Sequence, residues 1–240
     1  MRKNKAYFEK NYFANYDEQD GNGWGFNWRA SQKKRMENAV RFMGKTLKKK
    51  DLTVLEAGCA TADMTRLIYE NIDSIKRYDA FDISDIAIKI CKTKGMDQIN
   101  WMVCDLTDMN FIPNTYDLII CSEAIAYLSF DQQKVCIEKF YSYLKRGGVL
   151  FLSMHDDEYG EIFKPVLKCF RKKKIFYNKT WLWTKIEYQL FRCYRQSNKK
   201  IFRRLLRLLI SNEKLMEFFN KINEIFLPNK IQHIFLLLKK

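Results

Sequence analysis

Between Thr53 and Met154 five short β-prone runs alternate with stretches of helical periodicity, and no other feature restricts the fold as much. The runs are 53–57, 77–82, 99–104, 116–122 and 149–154. Helices are predicted over 63–73, with Met64, Leu67, Ile68 and Ile72 inward, and over 85–94, with Ala87, Ile90 and Cys91 inward. A third, over 131–145, carries Val135, Ile137, Phe140, Tyr141 and Leu144 on its apolar face, and Gly147-Gly148 turns the chain into the fifth strand. Strands this apolar, each followed by an amphipathic helix, predict a parallel sheet covered on both faces. Right-handed crossovers make it a doubly wound, Rossmann-like α/β fold.

In such a sheet the ligand lies outside the carboxyl ends of the strands. The residues to inspect are therefore Glu56/Gly58, Asp82, Asp105, Ser122/Glu123 and His155/Asp156, and an acid occurs near the end of every one of the five strands. The first of these ends, Thr53-Val-Leu-Glu-Ala-Gly-Cys-Ala-Thr-Ala-Asp-Met-Thr65, is a strand, a loop of very small residues and a helix start near Asp63. Gly58 has no side chain to hold a ligand away from the backbone N–H groups. No Gly-Lys-Ser/Thr follows, which excludes a P-loop triphosphate site. Asp82 lies 24 residues after Gly58, where a carboxylate can accept from both hydroxyls of a ribose. A dinucleotide site also calls for G-x-G-x-x-G, and Gly58-Cys-Ala-Thr-Ala-Asp63 has one glycine of the three.

The net charge of +15 is unevenly divided. Residues 1–160 carry 23 Lys+Arg and 23 Asp+Glu, whereas residues 161–240 carry 20 against 5. The chain therefore reads as three parts: an aromatic lid and helix over 1–50, a ligand-binding core over 51–160, and a basic region over 161–240. In the first part Tyr7, Phe8, Tyr12, Phe13 and Tyr16 precede Asp20-Gly-Asn-Gly-Trp-Gly-Phe26, a glycine-rich turn that makes Trp24 a candidate wall of a pocket. Ser31 is placed to cap a helix over 32–47 with Met36, Val40, Met43 and Leu47 on one face, ended by the turn Lys48-Lys-Lys-Asp51. In the last part a helix is expected over 163–169 up to the charge run 171–174, a strand over 181–195, and one helical insertion over 199–226 stopped by Pro228. Ile231 to Leu238 returns to the main sheet as a strand.

Apolar stretches reach about six to eight residues, too short to span a bilayer. The charged N-terminus lacks a signal peptide's apolar segment, and the seven cysteines form no CxxC, so a reducing cytoplasm is the expected setting. Two histidines and no clustered cysteines predict no metal site.

The motifs resemble those of the class I S-adenosylmethionine-dependent methyltransferases. Val-Leu-Glu-Ala-Gly-Cys-Ala-Thr-Ala looks like their first motif, Phe81-Asp82-Ile83-Ser84 like the second-strand acid motif, and Cys104-Asp105-Leu106 like the adenine-contact motif. Tyr116 to Leu128 and Leu144-Lys-Arg-Gly-Gly-Val-Leu150 resemble the fourth- and fifth-strand signatures. Gly-Cys-Ala, Glu123-x-x-x-Tyr-Leu and Trp24-Gly25 look closest to nodulation-type N-methyltransferases, which modify an amino-sugar oligosaccharide. The resemblance implies S-adenosylmethionine as cofactor. Glu56, Gly58 and Ala60 would hold its methionine part, Asp82 its ribose, Ile83 and Leu106 would flank its adenine, Asp105 would accept from the adenine amino group, and Ser122 would complete the cofactor site. The family favours glycine where this chain has Ala60 and Ala62, and alanine resists φ > 0, so a loop needing that conformation is strained there.

Methyl transfer from a sulfonium needs a nucleophile held in line and, where it starts protonated, a base. His155 is the candidate base and Tyr127 a candidate wall of the acceptor pocket. The expected acceptor is an N or O atom of a small molecule or glycan, such as a lipid-linked sugar. Residues 199–210 alternate apolar and cationic groups and suit an anionic membrane surface. RNA is the rival acceptor, held by the same charges with Trp181, Trp183 or Tyr194 stacking on bases, and a non-catalytic binding protein on the same fold is the third reading.

Overall fold

β1 (Leu52–Ala57) runs through the middle of one seven-stranded sheet and pairs in parallel with β2 (Ile75–Asp82) on one side and β4 (Tyr116–Ser122) on the other. The order is β3-β2-β1-β4-β5-β7-β6, with β3 at Ile99–Val103, β5 at Leu144–His155, β6 at Lys172–Asn178 and β7 at His233–Lys239. β1 to β5 are parallel, and β7 is antiparallel to both β5 and β6. The computed structural model describes residues 4–14, 16, 23–45, 47, 50–72, 75–156 and 169–240. Residues 17–22, Lys48, Lys49, Asp157, Glu158, Gly160 and positions 163–168 of the helix expected over 163–169 lie outside the described residues.

Side chains of successive strand residues point to opposite faces, so each central strand feeds two cores. Leu55, Ala57, Ile119, Cys121, Leu150 and Leu152 face α5 (Phe130–Tyr143), whose Cys136, Ile137 and Phe140 complete that layer. Val54, Leu118, Ile120 and Phe151 face the other way, onto Met36, Val40 and Met43 of α2 (Ala30–Gly44), Met64 and Ile68 of α3 (Asp63–Asn71) and Ile88 and Cys91 of α4 (Asp85–Lys92). Burial on both faces is why these strands are apolar without alternation. α1 (Lys5–Phe8) and the π turn after it pack Phe8 and Phe13 on Ala87 of α4.

The structure departs from the sequence reading at several elements. Residues 181–195 form a helix, α6 (Trp181–Gln196), not a strand: Trp183, Thr184, Glu187, Phe191 and Tyr194 are buried at helical spacing, and packing overrides the β preference of its aromatics. The expected helix 199–226 is two, α7 (Lys200–Ile210) and α8 (Glu213–Phe226), separated where Asn212 Oδ1 accepts from Leu215 N. The charge run 171–174 opens the edge strand β6, a place where lysines discourage pairing with further strands. β5 starts at Leu144 and runs through Gly147-Gly148, with a register shift against β4 between Tyr116 and Leu118. Val135 is exposed rather than inward.

Ser31 does not cap α2. The N-cap position is Arg29, and the Ser31 hydroxyl donates instead to Glu187 of α6. Glu187 is fully buried and also accepts from Ser31 N at 3.0 Å, Arg29 Nη2 at 2.9 Å and Trp183 Nε1 at 3.3 Å. This cluster ties the C-terminal helices to the start of α2.

Candidate active site

The loop after β1 is pinned to the end of β2. Gly58 N and Cys59 N both donate to Phe81 O, at 2.8 and 3.0 Å, and Ala60 N donates to Asp82 Oδ2 at 3.0 Å. Closing so short a turn puts Gly58, Ala60 and Ala62 at φ +78°, +48° and +63°. The two alanines therefore adopt the conformation alanine resists, at roughly 1–2 kcal/mol each. Gly58 has a second reason to be glycine: a Cβ there would lie 2.5 Å from Ala124 Cβ. Gly58→Ala adds left-handed strain to overpacking and is expected to cost about 2–5 kcal/mol of stability and to weaken any ligand held by the loop. Thermal unfolding of Gly58→Ala beside the double variant Gly58→Ala/Ala124→Gly separates the two contributions, because only the clash is relieved in the second.

This turn is one wall of a cavity of about 630 Å³ at the carboxyl ends of the parallel strands. The volume lies in the ordinary range for small-molecule sites, about 300–1,000 Å³. Gly58, Ala60, Asp82, Ile83, Asp105, Leu106, Ser122, Trp24, Tyr127 and His155 all line it, so ten of the eleven residues singled out from the sequence converge there. Glu56 does not. It is buried under the loop, where its Oε2 accepts from Tyr78 Oη at 2.7 Å.

Burial pushes the Glu56 carboxyl up to about 7, with hydrogen bonding from Tyr78 opposing the rise. A folded-state value above the unfolded one means that the folded protein holds the proton more tightly, so stability is lost as pH rises from about 4.5 to about 7. That interval corresponds to about 3 kcal/mol. Thermal unfolding at about pH 5 and about pH 8 should therefore show Glu56→Gln losing less stability on the alkaline side than the unaltered chain.

The cofactor half of the cavity is acidic and backbone-rich. Asp82 is buried, and its Oδ1 accepts from Ser84 N at 3.0 Å while Oδ2 takes the Ala60 N–H. Burial raises its carboxyl to about 6 against the pull of these backbone donors. Asp105 Oδ1 accepts from Thr107 N and Thr107 Oγ1, both at 2.9 Å, which fixes the turn after β3. Ser122 is less available for a ligand: its hydroxyl accepts from Arg35 Nη1 at 3.1 Å and lies 2.9 Å from Ser153 Oγ.

The opposite half is aromatic. Trp24 is stacked between Tyr12 and Phe26, with ring centroids 3.7 and 5.2 Å away, and Phe8 meets Tyr127 edge-on at 5.0 Å. Phe8, Phe13, Trp24, Phe26 and Tyr127 all face the cavity. Between the halves sits a charged cluster that sequence reasoning left unassembled. Arg35 Nη1 lies 3.8 Å from Glu123 Oε1, which accepts from Ser153 Oγ at 2.7 Å, and His155 Nε2 lies 3.8 Å from Glu123 Oε2. β7 pairs His233 opposite His155, with ring centroids 4.5 Å apart. Burial and the neighbouring Arg35 push His233 well below its ordinary value, so it is neutral.

Glu123, His155 and His233 bring ligand atoms within 4.8 Å of one another, a grouping that the histidine count alone did not suggest. The Arg35 guanidinium already supplies the positive charge beside that carboxylate and opposes a divalent cation there. Arg35 and His233 each had a readable signal. Arg35 shares the buried face of α2 with Met36, Ala39 and Met43, and an antiparallel return of 231–238 against β5 puts His233 beside His155.

Residues 54–148 match the family model described as a methyltransferase domain. The N-methyltransferase NodS from Bradyrhizobium japonicum, in complex with S-adenosylhomocysteine, superposes with a TM-score of 0.61 at 20% identity over 72% of this chain and 89% of that one. A putative sarcosine dimethylglycine methyltransferase from Galdieria sulphuraria gives 0.59 at 13% identity, over 87% and 86%. Phosphoethanolamine N-methyltransferase 2 from Haemonchus contortus, in complex with S-adenosylmethionine, gives 0.58 at 14% identity, over 86% of this chain and 52% of that one. Comparison with curated protein sequences returns no match. The fold is Rossmann-like, with its cavity at the carboxyl ends of the parallel strands, where folds of this class take nucleoside-bearing ligands. Residues 54–148 thus match a methyltransferase domain, and the fold is the one seen in these enzymes solved with S-adenosylmethionine or S-adenosylhomocysteine.

Proposed function

We propose that the protein moves a methyl group from S-adenosylmethionine to an N or O atom of a small molecule or glycan, a lipid-linked sugar fitting best. The observation that carries this reading is the division of one cavity into a backbone-and-carboxylate half at Gly58, Ala60, Asp82 and Asp105 and an aromatic half at Phe8, Trp24, Phe26 and Tyr127. When bound, the cofactor supplies an electrophilic methyl group on its sulfonium. Asp82 would accept from the ribose hydroxyls, Asp105 would accept from the adenine amino group, and Ile83 and Leu106 would flank the ring, all four lining the cavity. The loop at Gly58 and Ala60 would hold the methionine part close to bare backbone.

The chain's own contribution to the chemistry is placement and proton handling. Positioning a nucleophile in line accounts for roughly 7–11 kcal/mol of barrier in favourable cases. The stacked aromatics give the acceptor half an apolar wall. Gln232 lies with its amide nitrogen 3.0 Å from His155 Nδ1, and its Oε1 is buried without a partner. With that amide turned, Oε1 accepts from Nδ1–H and satisfies itself, which leaves His155 Nε2 as the base. A proton taken at Nε2 is then held beside the Glu123 carboxylate. An aromatic pocket of this size suits a small acceptor better than a base presented within RNA.

The test is transfer of labelled methyl from S-adenosylmethionine to a panel of free amino sugars and lipid-linked sugars, with unaltered protein and His155→Ala. Label should enter a sugar and fall by about 10²–10⁴-fold in the variant. Label appearing in RNA alone would favour the rival acceptor, and cofactor binding with no transfer would favour a non-catalytic role.

A further inference from the structure

α7 is divided lengthwise into three strips. Leu206 and Ile210 are buried against α6 and its neighbours, in a cluster with Trp28, Phe191 and Tyr194. Ile201, Phe202, Leu205, Leu208 and Leu209, at the spacing of one helical face, point away from the protein and are 80%, 46%, 55%, 62% and 45% exposed. The rest of the circumference is cationic: Lys200 and Arg204 are exposed, Arg203 packs over Tyr194 and Arg207 over Trp28. α8 adds apolar surface but not cationic charge: Phe218, Ile225 and Phe226 are 58%, 70% and 72% exposed, while exposed Glu213, Glu217 and Glu224 accompany Lys214 and Lys221 on the same helix. Isolated exposed apolar residues are ordinary, but eight on two successive helices are not.

We propose that the exposed face of α7, with the apolar side chains of α8 beside it, docks the protein onto the surface of an anionic lipid bilayer. A helix with an apolar strip bordered by Lys and Arg lies in the interfacial plane of a membrane, its apolar side chains among the acyl chains and its cations at the headgroups. Charge on α7 selects the bilayer over a second copy: the helix carries Lys200, Arg203, Arg204 and Arg207 and no acid, so two such helices meeting face to face would repel. No helix among the described residues is long and apolar enough to cross a membrane, so the contact is peripheral. The docking deepens the reading of the acceptor as a lipid-linked sugar and rests on it in that respect, because such a substrate is carried on the same surface.

Co-sedimentation of the full chain with vesicles of phosphatidylcholine plus phosphatidylglycerol, and with phosphatidylcholine alone, tests the proposal. Binding should occur on the anionic vesicles and weaken with added salt. Leu205→Ser and Leu208→Ser, both at solvent-exposed sites, should each weaken it roughly tenfold. Arg204→Glu should weaken it roughly fivefold or more. Failure to sediment with anionic vesicles overturns the proposal. So does binding that Leu205→Ser and Leu208→Ser leave intact, as does retention on RNA without retention on vesicles. Concentration-dependent dimerisation abolished by Leu208→Ser would overturn it in favour of a second copy on this face. Calorimetry with S-adenosylmethionine on the same variants should be unchanged, which separates failure of docking from failure of the methyltransferase reading.

Discussion

Asp82→Ala is expected to lower the affinity for S-adenosylmethionine by about 10²–10⁴-fold while the sheet remains folded. Two charge-assisted hydrogen bonds to a ribose, at about 1.5–3 kcal/mol each, account for that range. The same carboxylate also receives the Ala60 N–H, and that bond helps hold Ala60 at its positive φ. Truncation therefore removes a ligand contact and releases the strained turn beside it. Because burial raises the Asp82 carboxyl to about 6, the ionised form that accepts both hydroxyls is depleted below that pH. Cofactor affinity of the unaltered chain should thus fall by about tenfold for each pH unit below about 6. Isothermal calorimetry across pH reads both effects, and circular dichroism checks the fold of the variant.

Glu187→Ala carries the largest expected loss of stability, about 3–5 kcal/mol. Its carboxylate is fully buried and bonded by Arg29, Ser31 and Trp183, so its removal leaves the Arg29 guanidinium charged, buried and short of its counter-ion. For a chain of this length that loss is a fall of roughly 6–20 °C in midpoint. Function should suffer with it, since Arg29 Nη1 donates to Trp24 O at 3.0 Å and so steadies the aromatic wall of the cavity. Replacing the pair together, Arg29→Met with Glu187→Leu, should recover much of the stability. If the double variant is no better than Glu187→Ala alone, the cost does not come from the orphaned charge.

The parallel half of the fold was legible because its signals are local. Strands buried on both faces are apolar throughout, and each ends at a turn where a ligand can sit. Asp82, Asp105 and the Gly58 loop follow from strand ends alone, without knowledge of what packs above them. The C-terminal region was harder because its pattern depends on partners far away in sequence. Trp181–Gln196 reads as a strand by composition, and becomes a helix because Trp183, Glu187 and Phe191 find Ala30, Arg29 and Trp28. The cluster of Arg35, Glu123, His155 and His233 draws on α2, the end of β4, β5 and β7, and only the register of β5 against β7 brings the two histidines together. Ala60 and Ala62 depart from the glycine-rich pattern in the sequence itself. The structure shows the conformation that makes them costly and supplies the restraint, through Asp82 and Phe81 O, that holds it.

Calorimetric titration of the unaltered chain with S-adenosylmethionine, and in parallel with NAD, at about pH 7.5 asks most directly whether the cavity is a site for S-adenosylmethionine. Saturable binding of one S-adenosylmethionine per chain, absent or much weaker with NAD, is the expected result. No heat of binding with S-adenosylmethionine, or preference for NAD, would contradict it.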